Sequence, residues 1–127
     1  MTEISGLLID DEPEVLSLLE DVFRTKGVIV DTAATTQQGL DLLAQKSYDI
    51  VVTDLNQNPS GVQVYRAAIS RGIQDTYILT GGTTDDTLMR EAQELAGPNL
   101  LTKPIQIDTF YRIIEQVKQR KIDNPKL

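Results

Sequence analysis

The sequence feature that most restricts the fold is a short β-branched run that ends in an aspartate. The run Ile50-Val51-Val52 is followed by Thr53 and Asp54. Such a run is typical of a parallel strand that is buried on both faces of a sheet. Open α/β sheets bind their ligands beyond the carboxyl ends of the strands, where the strand order reverses. Asp54 is therefore the first candidate for a functional residue.

Short apolar segments alternate with stretches of helical apolar spacing along the rest of the chain. Five segments are predicted as strands: Ile4–Ile9, Val28–Val30, Ile50–Val52, Thr76–Thr80 and Leu100–Leu101. A predicted helix follows each strand, with apolar faces formed in turn by Val15, Leu18, Leu19 and Val22; Leu40, Leu43 and Ala44; Val62, Tyr65, Ala68 and Ile69; Leu88, Met89, Ala92, Leu95 and Ala96; and Phe110, Ile113, Ile114 and Val117. Since crossovers between parallel strands are right-handed, this alternation predicts an α/β fold with a doubly wound parallel sheet and helices on both faces.

The composition limits the chemistry that the chain can support. Its 127 residues include no cysteine and no histidine. The lack of cysteine excludes disulfides, thiolate zinc sites and cysteine nucleophiles. The lack of histidine excludes histidine bases and histidine metal ligands. Any chemistry must therefore use oxygen ligands, hydroxyls and amines.

Length and charge indicate a single acidic domain. The chain has 12 Lys and Arg residues against 19 Asp and Glu residues, a net charge of −7, which disfavours direct nucleic-acid binding and favours proteins or cations as partners. We predict one domain over residues 1–122 and a flexible tail over residues 123–127. The first residues show no signal-peptide pattern, and no apolar run approaches the roughly 18 residues of a membrane span. We therefore expect a cytoplasmic protein without a membrane partner.

Polar residues stand at the ends of four predicted strands. Asp10 and Asp11 follow the first strand, Asp54 the third and Lys103 the fifth, and Thr80 ends the fourth. Because the carboxyl ends of parallel strands share one edge of the sheet, we expect these side chains to meet in one pocket. Carboxylates at close range repel one another and need protons or a cation. Mg²⁺ prefers oxygen ligands, and a lysine and a hydroxyl complete a site suited to a phosphoryl group.

These residues, in this order and on these elements, resemble the receiver domain of two-component response regulators, of the chemotaxis-regulator type. The resemblance runs from Ile4 to about Lys121 and includes the Lys103-Pro104 pair. It implies a flavodoxin-like three-layer sandwich with strand order 2-1-3-4-5 and about five helices. It also implies a signalling module in a phosphorelay, in place of an enzyme with a separate substrate.

The resemblance assigns a role to each site residue. Asp54 would be the phosphoacceptor and would take a phosphoryl group from a phosphohistidine of a sensor kinase or phosphotransfer protein. Asp11 and Asp54 would bind Mg²⁺ through their carboxylates, Asp10 would act through a water, and Asn56 would bind through its backbone carbonyl. Lys103 and Thr80 would contact the phosphoryl oxygens. The added charge would bias a conformational equilibrium and change the face formed by the fourth helix, fifth strand and fifth helix, where a homodimer or another protein would dock.

Three features depart from the usual pattern of these domains: the spacing of Pro59 and Gly61 after Asp54, the Gly81-Gly82 pair after Thr80, and Leu100 in place of an aromatic residue. We therefore predict a reshaped loop after the phosphoacceptor, a mobile loop before the fourth helix and open access of water near Gly82. Without the aromatic residue, the signal must pass through displacement of that mobile loop and the fourth helix.

Three other functions are compatible with parts of the pattern. A phosphatase of the haloacid dehalogenase type uses a strand-end aspartate and Mg²⁺, but it needs a second carboxylate two residues later, where this chain has Asn56. A nucleotide or flavin binder needs a glycine-rich loop after the first strand, where this chain has acidic residues. The third alternative is a receiver-like interaction module with lost or reduced phosphorylation, which the altered loop after Asp54 leaves open.

Overall fold

Five parallel strands form one sheet in the computed structural model, which describes residues 3–123. The strands are β1 (Ser5–Ile9), β2 (Ile29–Ala33), β3 (Ile50–Asp54), β4 (Asp75–Thr80) and β5 (Leu100–Thr102). Their order in the sheet is β2-β1-β3-β4-β5, and every neighbouring pair is parallel. The predicted doubly wound order is confirmed, and the strand order reverses between β1 and β3.

Five helices connect the strands: α1 (Pro13–Thr25), α2 (Thr36–Gln45), α3 (Gly61–Ser70), α4 (Asp86–Ala96) and α5 (Ile107–Asp123), with a short 3-10 turn at Gly97–Asn99. Local residues explain where several helices begin. Pro13 occupies the first turn of α1, where its missing N–H costs no hydrogen bond. The Thr35 side chain accepts a hydrogen bond from Gln38 N in α2, and the Asp85 side chain accepts one from Leu88 N in α4.

The sheet is covered on both faces, as the alternation of elements predicts. Leu8, Val52 and Leu79 pack with α1 and α5 on one face. Leu7 and Val51 pack with α2 and α3 on the other face, where Ile78, Ala92 and neighbouring side chains join α3 to α4. All five residues of β3 are buried, so the strand that carries Asp54 lies at the centre of the core.

Three residues of the predicted apolar helix faces are not buried. Leu18, Ala44 and Ile69 are exposed, although each lies within an apolar helical pattern. Each lies next to the buried face of its helix. On α3, that buried face includes Val64, which is fully buried. Strand β2 also extends to Ala33, three residues beyond its predicted end, because its polar residues pair in register with the buried β1.

The carboxyl-terminal helix agrees with its predicted face. Phe110, Ile113, Ile114 and Val117 are all buried. Helix α5 continues through Asp123, the residue at which a flexible tail was predicted to begin. Residues 124–127 of that predicted tail lie outside the described part of the chain. Within residues 3–123, no helix has the length and apolar character needed to cross a membrane.

Candidate functional site

The predicted site residues meet at the carboxyl edge of the sheet. Asp10 follows β1 directly, Asp54 is the last residue of β3, and Thr80 is the last residue of β4. Lys103 follows β5, and its Nζ lies 3.1 Å from Asp10 Oδ2 and 3.5 Å from Asp54 Oδ1. Four separate strands therefore deliver two carboxylates, an ammonium and a hydroxyl to one place.

Asp10 is an acid held in a fully buried position. Its Oδ1 accepts a hydrogen bond of 2.9 Å from Glu12 N. Its Oδ2 makes no hydrogen bond, although it is paired in charge with Lys103. Burial raises the pKa of Asp10 and the charge of Asp54 raises it further, while the hydrogen bond from Glu12 and the ammonium of Lys103 act in the opposite direction. Among residues 3–123, the close partner of this buried oxygen is thus the Lys103 ammonium alone.

Lys103 joins three carboxylates. Besides Asp10 and Asp54, its Nζ contacts Glu12 Oε1 at 2.6 Å. Burial by itself lowers the pKa of Lys103, but Glu12, Asp10 and Asp54 together outweigh burial and raise the pKa above its ordinary value. Lys103 therefore remains a fixed positive charge beside the two strand-end aspartates.

The acidic residues after β1 offer a set of oxygen ligands. Carboxylate oxygens of Asp10, Asp11 and Glu12 lie within 4.8 Å of one another. Asp54 is not a member of this group, and Lys103 stands between Asp54 and Asp10. Hard divalent cations take such oxygen ligands, and the buried Oδ2 of Asp10, which accepts no hydrogen bond, fits that donor set. Asp10 and Asp11 therefore fit Mg²⁺, while the Glu12 carboxylate contacts Lys103.

The loop between β4 and α4 is held by two hydrogen bonds at Gly82. Thr80 Oγ1 accepts a bond of 3.0 Å from Gly82 N, and the side chain of the exposed Asn56 donates one of 3.0 Å to Gly82 O. Gly82 adopts a φ of 106°, which favours glycine, and the space where a side chain would begin is open. A cleft of about 460 Å³ extends from this loop between α4 and β5, with Met89 and Leu100 in its lining.

The loop between β3 and α3 has anchors that the sequence did not reveal. Gln57 Oε1 accepts a hydrogen bond of 2.9 Å from Thr36 N, and the Thr36 hydroxyl donates to Pro59 O. Gly61 lies so close to β3 that a Cβ built on it would stand 2.4 Å from Asp54 O. The altered spacing of Pro59 and Gly61 thus corresponds to a loop tied to the start of α2. A polar pair that is 21 residues apart carries no local sequence signal.

Glu12 is a further site residue that sequence reasoning did not assign. Its carboxylate makes the shortest of the three contacts to Lys103. Its place directly after two aspartates was the available signal.

Comparison with known sequences gives a consistent set of relatives. The family model described as "Response regulator receiver domain" matches residues 7–115. Transcriptional regulatory protein GlrR of Escherichia coli is 27% identical over 117 residues, which is 90% of this chain and 26% of GlrR. Sporulation initiation phosphotransferase F of Bacillus subtilis is 27% identical over 105 residues, covering 80% of this chain and 83% of that protein. This chain therefore spans about a quarter of GlrR but most of the sporulation protein.

Solved structures show the same fold. A CheY-like receiver domain protein from Methanospirillum hungatei superposes with a TM-score of 0.79 at 17% identity, covering 97% of this chain and 100% of the other. The chemotaxis response regulator CheY4 of Vibrio cholerae superposes with a TM-score of 0.74 at 20% identity, covering 91% of this chain and 99% of the other. At these identities the likeness establishes the architecture alone.

Proposed function

This chain belongs to the family of response regulator receiver domains, and from this premise we propose that it is a phosphoacceptor switch in a phosphorelay. In the proposal, Asp54 accepts a phosphoryl group from a phosphohistidine of a sensor kinase or phosphotransfer protein. One observation carries the proposal: the ammonium of Lys103 lies 3.5 Å from the Asp54 carboxylate, at the strand-order reversal of a receiver fold.

The proposed transfer uses Asp54 as the nucleophile. A carboxylate oxygen of Asp54 forms a bond to phosphorus while the bond between phosphorus and the donor's imidazole nitrogen breaks, which leaves an aspartyl phosphate and a neutral histidine after proton uptake. Asp54 is only 4% exposed, so the reacting oxygen is aimed into a largely enclosed site. The Lys103 ammonium and the Thr80 hydroxyl lie at the same edge and would receive the phosphoryl oxygens.

Mg²⁺ is part of the proposal because of the oxygen ligands beside Asp54. Asp10, Asp11, Asp54 and the backbone carbonyl of Asn56 are the proposed ligands, with Asp10 acting through a water. When bound, the cation would neutralise charge on the phosphoryl oxygens during transfer. The buried Oδ2 of Asp10 supports this assignment, since it accepts no hydrogen bond and its close partner is the Lys103 ammonium at 3.1 Å.

The proposed output is a change on the surface formed by α4, β5 and α5, read by a second copy or by another protein or domain. The cleft between α4 and β5 supports this direction, because it begins at Thr80 and runs beneath α4. Leu100 lies in that cleft where an aromatic residue is usual, so displacement of the loop after Thr80 and of α4 would carry the signal. The relatives GlrR and sporulation phosphotransferase F are named for a regulator and a phosphotransferase. In this proposal the domain is a signalling module without a separate substrate, and its cytoplasmic location stays a prediction.

The test is the mass of the intact protein after incubation with acetyl phosphate, with and without Mg²⁺. We expect the gain of one phosphoryl group that requires Mg²⁺ and that disappears in Asp54→Asn, which keeps the shape of the side chain but removes its nucleophilic charge. Thermal unfolding of the variant checks that the fold is intact.

A second candidate function is a receiver-like interaction module that is not phosphorylated. The anchored loop after Asp54 favours it, because the bonds from Thr36 to Gln57 and Pro59 hold one side of the site in place. This candidate predicts no phosphoryl gain from acetyl phosphate or from a phosphorylated histidine donor while Mg²⁺ still binds.

A further inference from the structure

Glu12 holds the ammonium of Lys103 from the solvent side of the site. The distance from Lys103 Nζ to Glu12 Oε1 is 2.6 Å, shorter than the distances to Asp10 and Asp54. The two partners differ in exposure, since 60% of the Glu12 side chain is accessible and only 14% of the Lys103 side chain. The contact joins the loop after β1 to the loop after β5, across 91 residues of sequence.

Helix capping does not explain the position of the Glu12 side chain. Glu12 occupies the residue before α1, yet its side chain makes no hydrogen bond to the helix backbone. Its backbone N–H is instead bound to Asp10, which fixes the residue beside the site. The carboxylate is thus directed at Lys103 and away from the exposed amides of its own helix.

Of the three carboxylates near the Lys103 ammonium, Glu12 is the one that accepts a hydrogen bond from it, while Asp10 and Asp54 lie 3.1 Å and 3.5 Å away as ion pairs. A phosphoryl oxygen that takes a hydrogen bond from Lys103 therefore competes most directly with Glu12. Asp10 and Asp54 are buried, and leaving either without its cation is costly. Glu12 is the neighbour that can turn into water at little cost.

We infer that Glu12 is a positioning residue that competes with the phosphoryl group for Lys103 and so lowers the affinity of the resting site for a phosphoryl ligand. This inference rests on the proposed function, because it requires that Lys103 receives phosphoryl oxygens. Part of the ligand's binding energy is spent on releasing Lys103 from Glu12, which reduces the apparent affinity of the site.

The test compares Glu12→Gln with Glu14→Gln, a change of equal charge two residues along the chain. Glu14 is also exposed and lies in the first turn of α1, and among residues 3–123 it takes part in no ion pair. The probe is beryllofluoride, a phosphoryl analogue, titrated at saturating Mg²⁺ and followed by calorimetry. We expect Glu12→Gln to bind the probe about two- to fivefold more tightly than wild type, the range of a partly exposed ion pair, and Glu14→Gln to match wild type.

The salt dependence of the probe affinity separates competition for Lys103 from a purely structural role of Glu12. Because the pair of Glu12 with Lys103 is open to solvent on the Glu12 side, salt screens it. The affinity ratio between Glu12→Gln and wild type should therefore approach one as the salt concentration rises. The rate of phosphorylation by acetyl phosphate should show the same ratio and the same trend.

The inference is overturned if Glu12→Gln binds the probe no more tightly than wild type, or if Glu14→Gln gains as much. A loss of Mg²⁺ affinity in Glu12→Gln alone would also overturn it, since Glu12 would then be a metal ligand. These results differ from failure of the proposed function, in which wild type itself neither binds the probe nor gains a phosphoryl group.

Discussion

Replacing Gly61 by alanine should destabilise the protein, although helix propensity alone predicts the opposite. Gly61 is the first residue of α3, and alanine in a helix is favoured over glycine by about 0.5–1 kcal/mol. A Cβ at this position would stand 2.4 Å from Asp54 O and 2.8 Å from Leu55 Cα. Both are backbone atoms of a buried segment, so they cannot turn aside as the end of a side chain can.

The size of the destabilisation follows from the distance by which α3 and β3 must move apart to accept the new Cβ. Ordinary contact would require the start of α3 and the end of β3 to separate by about 1 Å, and overpacking of this kind costs about 1–3 kcal/mol. This packing cost should exceed the gain in helix propensity and leave a net loss of stability. It should lower the midpoint of thermal unfolding by roughly 4 °C for each kcal/mol.

Urea unfolding of wild type, Gly61→Ala and Gly39→Ala measures the effect. Gly39 is the matched control, because it is also buried in a helix, but its Cβ would meet the side chain of Ile9, at 2.2 Å from Cδ1. Ile9 is fully buried and its Cγ1 would also lie 2.8 Å away, so its rotation relieves only part of that contact. Because a side chain yields more readily than backbone atoms, we expect a smaller loss in Gly39→Ala than in Gly61→Ala, at an unchanged denaturant slope. The reasoning is refuted if Gly61→Ala is as stable as wild type, or if it loses less than Gly39→Ala.

Three further predictions concern charged groups. Asp10→Asn should raise the unfolding temperature at pH 7 without Mg²⁺. The pKa of Asp10 is raised in the folded protein, so its ionised form opposes folding. The gain in stability of Asp10→Asn should therefore vanish as the pH falls below the ordinary pKa of an aspartate. An Asp10→Asn protein that is less stable than wild type at pH 7 would contradict this. Tyr48→Phe should cost about 1 kcal/mol at pH 7, because Tyr48 donates to Asp31 and lowers the pKa of that acid. Because the pKa of Asp31 is lower in the folded protein than in the unfolded chain, this hydrogen bond stabilises the fold at pH values above the unfolded pKa. The loss of stability in Tyr48→Phe should therefore shrink in acid, and a loss in urea titrations that does not change with pH would count against this. Lys103→Met should slow phosphorylation by acetyl phosphate about tenfold or more, and an unchanged rate would remove Lys103 from the proposed transfer.

The fold was predictable because its signals are local and repeated. The β-branched residues before Asp54 indicated a strand buried on both faces, and all of β3 is buried. Parallel strands bring their carboxyl ends together whatever the details of packing, so the meeting of Asp10, Asp54 and Lys103 followed from the order of elements. The cap of α2 is Thr35, a residue type that is preferred at that position.

The features that escaped prediction depend on contacts between distant residues. The pair of Thr36 with Gln57 and the pair of Glu12 with Lys103 join elements whose separation is set by packing. Leu18 and Ile69 were included in the predicted apolar faces because an apolar residue beside the buried stripe has the same spacing as one on it. Only the position of the neighbouring helix decides which of the two is covered.

The two loops that border Asp54 are anchored differently. On the α2 side, Thr36 bonds to two residues of the loop after β3, and Gly61 lies close against the strand. On the α4 side, the loop after Thr80 is bonded at Gly82, beside an open cleft. If Asp54 is phosphorylated as proposed, we therefore expect the loop after Thr80 and α4 to move while α2 stays in place.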